Sequence, residues 1–569
     1  MTTIGIDFGT TNSVVAQWTP SGSDILQLSS GTVDMEWERY GYGPVMPSVY
    51  AVGDAGQPLF GFQALEHDGP RFDAVKRLFA VHEDTAFDSD GSALMVEEVA
   101  TLLFAELLRR SRELEGVDPK RAVVTVPANS RGLARHRTKI CAGMAGVQVL
   151  ALINEPTAAA LAYGANHSGD QTVLVFDWGG GTLDVTVLRA IDGVFIEETS
   201  SGLPRRGGID FDTRMRKLVL DTIPDAERWS ARERHVFNRN LELAKIQLSN
   251  LDEVEVRLPN KGVHRITRAA FNSATRTLVE DARRPIERCL NDLGLGSGAI
   301  DALVMVGGTS NIPAVRALVA EVVGREPEAG INPMTAVAEG AAVAAAILGG
   351  EAGDRYELLV SLEHALGTDV LNPQTLEQNF DVIIPRGASI PCERTKTFVP
   401  VFEGQEEVKI EVLEGDPQRP IDDPDNVLLK EFVVVLDPDA EDPSFELGYA
   451  YDFDGILTVT VTLSDGTQTT EAIGFGPGTD RQAMVDLSRR VRTVIEDGDT
   501  SHLDAASTDD PLTAQLVQKV LVNVIPFLDE DEAEPLHALL AEVREAEPGH
   551  RSDAVSALED ALVPYSYLM

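Results

Sequence analysis

Cysteine is scarce in this 569-residue chain: Cys141, Cys289 and Cys392 lie far apart, with no CxxC pair and no Cys/His ligand spacing. That argues against a disulfide framework or a zinc site and fits buried thiols in a reducing compartment. Positive charge is also short, with 48 Lys and Arg against 91 Asp and Glu, a formal net charge of −43. Such a surface repels nucleic acid and anionic membranes, so neither is expected as a partner. Long apolar runs are missing too. The start, MTTIGIDFGTTNS, has no basic stretch and apolar core of a signal peptide, and AVAEGAAVAAAILGG from Ala336 is interrupted by Glu339. It falls short of the roughly 20 residues that cross a bilayer. The expected address is cytoplasmic.

Apolar residues make up 43% and charged ones 24%, enough for several ordinary cores. At about 150 residues per domain the length suggests roughly four folding units. The acidity is uneven: residues 1–350 carry 34 basic and 45 acidic side chains, while 351–569 carry 14 and 46. A boundary near residue 350 therefore separates two different surfaces.

Residues 3–8 and 13–17 are short β-rich runs joined by Gly9-Thr10-Thr11-Asn12, and VLVFDWGGGTLDVTVL at 173–188 repeats the plan. In each, a strand reaches an aspartate (Asp7, Asp177), then a glycine two residues on (Gly9, Gly179), then threonine and a second strand. An internal duplication, with two α/β lobes around a cleft, is the physical reading. Helical spacing marks 96–114 and 132–145, and strands are expected at 122–127 and 302–307. Gly307-Gly308-Thr309 then leads into a helix with Pro313 at its start and Gly324 at its end. From about 365 to 475 the pattern changes to period-two runs such as EVKIEVLEG and GILTVTVTL, the mark of an antiparallel β-sandwich. ELLVSL at 357–362 reads as a strand edge or a docking linker. Helical patterns begin at Thr479-Asp480, at Asp510-Pro511 and near Glu530.

The glycine loops suit polyphosphate, because they allow close backbone approach and aim N–H groups at the anion while threonine hydroxyls add donors. Asp7 and Asp177, at strand ends, are candidates to hold Mg²⁺ through water. IGIDFGTTNSVVA, AVKRL, VVTVPA, INEPTAAALAYG, LVFDWGGGTLDVTVL, GGIDFDTRM, LELAKIQLS, VMVGGTSNIPAV and NPMTAVAEGAAVAAAIL resemble, in order, segments of DnaK-type (seventy-kilodalton heat-shock) chaperones. The resemblance covers nearly all of 1–350 and implies an α/β actin-like ATPase of two lobes. PRGASIP, EVLEGD and DFDGILTVTV resemble the family's peptide-binding β-sandwich more weakly.

Matched position by position, the resemblance implies ATP/ADP contacts at Gly9, Thr10, Thr11, Asn12, Gly179, Gly180, Gly181, Thr182, Gly307, Gly308, Thr309 and Asn311. Glu242, Lys245 and Ser249, on one helix face, match adenosine contacts. Lys76, Glu155, Asp177 and Asp184 match catalytic positions, with Asp184 associated with K⁺. Pro127 and Arg135 match a switch that relays nucleotide state, and Thr368, Leu371, Phe398, Val408 and Ile410 match a peptide cleft. Several positions depart from the pattern. Asn311 replaces an arginine found in animal members, Met334 stands where NPD is typical, Ser361 replaces an aspartate in the linker, and Thr368 replaces a larger aliphatic residue. The segment from Leu251 to Arg265 is compact, which leaves a nucleotide-exchange factor uncertain.

The expected domains are 1–354 (ATPase), 355–364 (linker), 365–478 (β-sandwich) and 479–569 (a short helical C-terminal tail, read as a reduced lid or a dimerisation element, or packed on the sandwich). The expected function is an ATP-dependent chaperone with slow ATPase turnover, extended polypeptide clients and a J-domain cochaperone. A scaffold with one dedicated partner and a small-molecule kinase of the same superfold are the competing readings.

Overall fold

The structure, a computed structural model, describes residues 2–29, 35–67, 69, 71–80, 85–87, 93–128, 130, 132–164, 169–191, 194–203, 206–223, 229–259, 262–352, 357–358, 360–362, 364–371, 378–402, 404–421, 426–437, 442–451, 457–473, 481–498, 500, 513, 516–517, 520, 524, 530–545 and 551–562. The β-branched runs near the N-terminus form the centre of a six-stranded sheet. Thr2–Phe8 pairs antiparallel with Asn12–Thr19 and parallel with Pro119–Val126, which pairs parallel with Gln148–Asn154. Parallel neighbours need long crossovers, and the helices Val96–Glu115 and Gly132–Met144 lie between those strands in sequence. A second sheet repeats the plan. Gln171–Trp178 pairs antiparallel with Leu183–Ile191 and parallel with Ala302–Val306, and Val194–Leu203 extends the hairpin. The duplication expected from the two Asp-x-Gly hairpins is thus also a duplication of sheet topology.

Each sheet has its own apolar core. Two helices of small residues, Glu155–Gly164 and Ala336–Leu348, share a third core with strands of both sheets. Their approach is close: a Cβ on Gly340 would collide with the Ala158 carbonyl, and one on Gly5 with the backbone of Ala341 and Ala342. The AVAEGAAVAAAIL stretch therefore packs as a core helix, and no helix among the described residues is long and apolar enough to cross a membrane. The helix Pro313–Val323 starts on its proline and ends at Gly324, whose φ of 75° is the left-handed C-cap glycine tolerates.

The region after 365 folds as two four-stranded antiparallel sheets. Alternation explains the packing: Leu457, Val459 and Val461 are buried on one face of their strand while the threonines between them are partly exposed. The buried Tyr449 hydroxyl donates to the Gly367 carbonyl at 2.8 Å and ties the sheets together. The strip between the textures does both things its sequence allowed. Glu357–Leu358 adds a parallel edge to Val194–Leu203, and Val360–Ser361 pairs antiparallel with Ser389–Ile390 of the sandwich region.

The described C-terminal helices fall into two groups. The helix Arg481–Asp497 packs on the first lobe, where Leu487, Val491 and Val494, spaced as one helical face, join that lobe's core. Ser488 Oγ donates to the Met144 carbonyl at 2.9 Å, and Arg490 Nε lies 3.4 Å from a carboxylate oxygen of the buried Glu98. The helix starts expected at Thr479-Asp480 and Asp510-Pro511 lie outside the described residues. Val517, Val520 and Val524 do not pack on the sandwich; they share a core with the helices Glu530–Glu545 and Arg551–Leu562.

Candidate functional site

The two glycine hairpins face one another across a cavity that is open to solvent. A Cβ on Gly180 would collide with the Thr11 hydroxyl, and one on Gly181 would sit 2.6 Å from the Thr10 hydroxyl, so only glycine lets the loops approach this closely. Thr10, Thr11, Asn12 and Gly9 line one wall, and Gly179, Gly180, Gly181 and Thr182 the other. The third turn closes the end. Gly307 has φ 81°, and a Cβ there would lie 2.7 Å from Asp177 Oδ1. Gly308 packs beside Met334, which lines the cavity with Val14, Pro333 and Val337. Met334 was singled out in the sequence as a departure from the family pattern, whereas Val14, Pro333 and Val337 were not among the expected contacts. The apolar character of those three gave no chemical signal until the fold placed them there.

Charge converges on the floor of the cavity. Lys76, on the short turn Val75–Ala80, bonds Glu155 at 2.7 Å, and both side chains are largely buried. Asp7 accepts a hydrogen bond from Thr125 at 3.1 Å. Asp177 and Asp184 stand directly opposite each other in the hairpin register, and Asp184 is buried behind the cavity wall rather than lining it. Burial first, then the neighbouring Glu155 carboxylate, pushes the Asp7 carboxyl up to about 7 against the pull of Lys76 and Thr125. Burial, followed by Glu155, Asp184 and Asp7, holds Asp177 well above the usual carboxylate range. Several carboxylates crowded around one lysine call for a further cation. No group of three or more His, Cys, Asp or Glu among the described residues is close enough to enclose a metal directly. A cation here would keep water or ligand oxygens in its shell, the habit of Mg²⁺.

The two switch candidates take different places. Pro127 lines the cavity. Arg135 is buried and donates to Asn154 Oδ1 at 3.0 Å and to the Leu152 carbonyl. Asn154 immediately precedes Glu155, so the guanidinium is one residue from the Lys76 pair. A further link had no separate signal beyond its place beside Lys76. Arg77 lies 3.5 Å from Asp210, across the cleft, and donates to the Gly181 carbonyl at 3.3 Å. Asp210 also accepts the Gly207 N–H at 2.7 Å.

The adenosine candidates do not line the cavity. Lys245 pairs with Asp212 at 2.8 Å and donates to the Gly208 carbonyl at 3.3 Å, while Ser249 lies in the turn after the helix Ala231–Gln247. Glu242 is raised by burial, with Lys245 opposing the shift. Thr309 uses its hydroxyl to bond the Gly179 carbonyl at 2.8 Å, and Asn311 ends the same short turn. In the sandwich, Thr368 and Ile410 are buried between the sheets, Phe398 stacks on Phe445 with ring centroids 6.0 Å apart, and Val408 packs on the same core. Leu371 ends its strand, partly exposed, outside that cluster.

A family model described as Hsp70 protein matches residues 78–563. The chaperone protein DnaK of Thermosipho melanesiensis is 33% identical over 573 residues, covering 95% of this chain and 92% of the relative. That of Thermotoga neapolitana is 36% identical over 482 residues, covering 80% and 77% respectively. That of Guillardia theta is 32% identical over 605 aligned residues, covering 98% and 93%.

Proposed function

Since the chain belongs to the Hsp70 family and is an ATP-dependent chaperone and ATPase, we propose that ATP lies between the two hairpins and that its hydrolysis controls a peptide site in the sandwich. The observation that carries this reading is the pair of glycine loops facing each other over Lys76 and the carboxylates. Their backbone N–H groups and the Thr10, Thr11 and Thr182 hydroxyls bind phosphate oxygens. Gly307 and Gly308 supply backbone beside Met334 for the nucleoside end, with Glu242, Lys245, Ser249, Thr309 and Asn311 at its rim. Asp7 and Asp177 would hold Mg²⁺ through water, and the ion would supply charge neutralisation for the phosphates. Lys76 faces the terminal phosphate and balances its charge, Glu155 fixes the ammonium in place, and Asp184 orients water or K⁺ behind Asp177.

Residues 1–354 are read as the ATPase domain, 355–364 as the linker, 365–478 as the peptide domain and 479–569 as the helical tail. Pro127 and Arg135 couple the cavity to the linker, because Arg135 holds Asn154 beside Glu155. Thr368, Leu371, Phe398, Val408 and Ile410 hold aliphatic side chains of an extended client, and the acidic sandwich favours basic-apolar segments. A J-domain protein is the fitting cochaperone. The test is fluorescence anisotropy of unrelated apolar peptides with the full chain, first with ATP and then with ADP. Broad binding that weakens in ATP supports the reading; measurable ATP hydrolysis with no binding to any peptide refutes the peptide site.

A further inference from the structure

The loop at 179–182 is held by its carbonyls, one after another. The Gly179 carbonyl accepts the Gly208 N–H at 2.9 Å and the Thr309 hydroxyl at 2.8 Å, and the Gly180 carbonyl accepts the Ile209 N–H at 3.1 Å. These three donors belong to the second lobe, as does the loop. The Gly181 carbonyl differs: it accepts from Nη2 of Arg77, 3.3 Å away, on the Val75–Ala80 turn of the first lobe. The same Nη2 lies 3.5 Å from Asp210 Oδ2, and the two side chains are 9% and 1% exposed. Asp210 is itself fixed, because its Oδ2 accepts the Gly207 N–H at 2.7 Å, and a Cβ on Gly207 would collide with the backbone of Gly180 and Gly181. Arg77, Gly208, Ile209, Asp210 and Thr309 do not line the cavity, so the three carbonyls are tied on the side away from it.

In a trans peptide the carbonyl and the N–H that follows it point in opposite directions. Carbonyls tied behind the loop therefore turn the N–H groups of Gly180, Gly181 and Thr182 towards the cavity, which all three residues line. The Gly179 N–H takes no part, since it donates to the Thr182 carbonyl within the turn. We propose that Arg77 is a positioning residue: by holding the Gly181 carbonyl it aims the Thr182 N–H at phosphate, so that the first lobe completes the anion cradle of the second. The proposal rests on the reading of the cavity as the nucleotide site. The second lobe sets two of the three N–H groups by itself, and the third is set only while the lobes are closed. Arginine suits the task, because a charged donor holds a carbonyl more firmly than a neutral one, and Asp210 balances the buried charge.

The test is isothermal titration of the full chain with ADP and with adenosine, which lacks the phosphates. Arg77→Met removes the donors and keeps an apolar stem that packs as the arginine's does. Its ADP affinity is expected to fall about tenfold, the worth of one N–H bond to an anion, while adenosine affinity stays within about twofold. A parallel loss for adenosine overturns the proposal, because Arg77 would then support the whole cleft rather than one phosphate donor. A second readout follows the peptide itself by nuclear magnetic resonance. With ¹³C at glycine carbonyls and ¹⁵N at threonine, only Gly-Thr peptides give a coupled signal, and that of Gly181-Thr182 is the one missing from Thr182→Ser. In the unaltered chain this signal should move when ADP binds and stay in place with adenosine. A signal indifferent to ADP overturns the proposal, and this measurement decides if Arg77→Met does not fold. An unaltered chain that binds no ADP overturns the nucleotide-site reading and the role of Arg77 with it; ADP binding that Arg77→Met changes by less than about twofold overturns the role and leaves the site standing.

Discussion

Replacing Lys76 with alanine removes the cation that the cavity holds among Asp7, Glu155 and Asp177. The ammonium and the Glu155 carboxylate are 2.7 Å apart, with side chains 8% and 12% exposed. At an effective dielectric of about 20 their gross attraction is about 6 kcal/mol, most of it offset by the cost of taking both charges out of water. In the resting protein Asp7 and Asp177, already raised, move further up because Lys76 was pulling both down. Hydrolysis has no such escape, because the phosphoryl charge is still there to be balanced. Losing one preorganised stabilising group of this kind costs a factor of about 100 to 1,000 in rate. The assay is single-turnover hydrolysis of γ-labelled ATP by the full chain, with nucleotide affinity measured in parallel. Affinity should stay within about tenfold, since the glycine loops are untouched. A single-turnover rate within about threefold of the unaltered protein would refute the assignment of Lys76.

Asp210 gives a pH-dependent prediction. Burial outweighs Arg77, the Gly207 N–H and Arg206 and raises its carboxyl from 3.8 to about 6. The folded protein thus holds a proton that the unfolded chain has released between those two values. The group's contribution is fully present below pH 3.8 and is lost as pH rises through about 6. Asp210→Asn should therefore be more stable than the unaltered, nucleotide-free protein at pH 8, by up to about 3 kcal/mol, and the gap should shrink towards pH 4. Urea midpoints followed by tryptophan fluorescence at both pH values measure it, and a gap independent of pH refutes the argument. Arg490→Ala takes one partner from the wholly buried Glu98. Exchange in Arg481–Asp497 should rise roughly tenfold, with no change in Glu155–Gly164, and equal exchange would show that the pair does not hold the helix.

Much of the machinery could be read without coordinates. The two hairpins were visible because strand alternation and the glycine turn are local properties, and their repetition announced two similar sheets. Ala336–Leu348 was recognisable as too short and too interrupted for a membrane, and its small residues suit the close helix crossing at Gly340. The sandwich followed from its period of two. Less accessible was the role of polar residues on regular elements. Glu242 and Lys245 lie on one helix and Ser249 in the turn just after it, and that spacing is equally good for contacting a ligand or for the Asp212 pair that Lys245 makes. Thr368 and Ile410 carry the same alternation whether they line a cleft or fill a core.

The sequence by itself determined the elements, their order and the glycine-rich geometry of the cleft, because those depend on neighbours a few residues away. Only the tertiary structure decided which charges meet. Lys76 and Glu155 are 79 positions apart, and Arg77 reaches Asp210 from the opposite lobe. The placement of the tail was decided there too. An amphipathic helix specifies that it must bury one face but not which surface receives it, and here the first lobe received Leu487, Val491 and Val494 while Ile209 met the bundle.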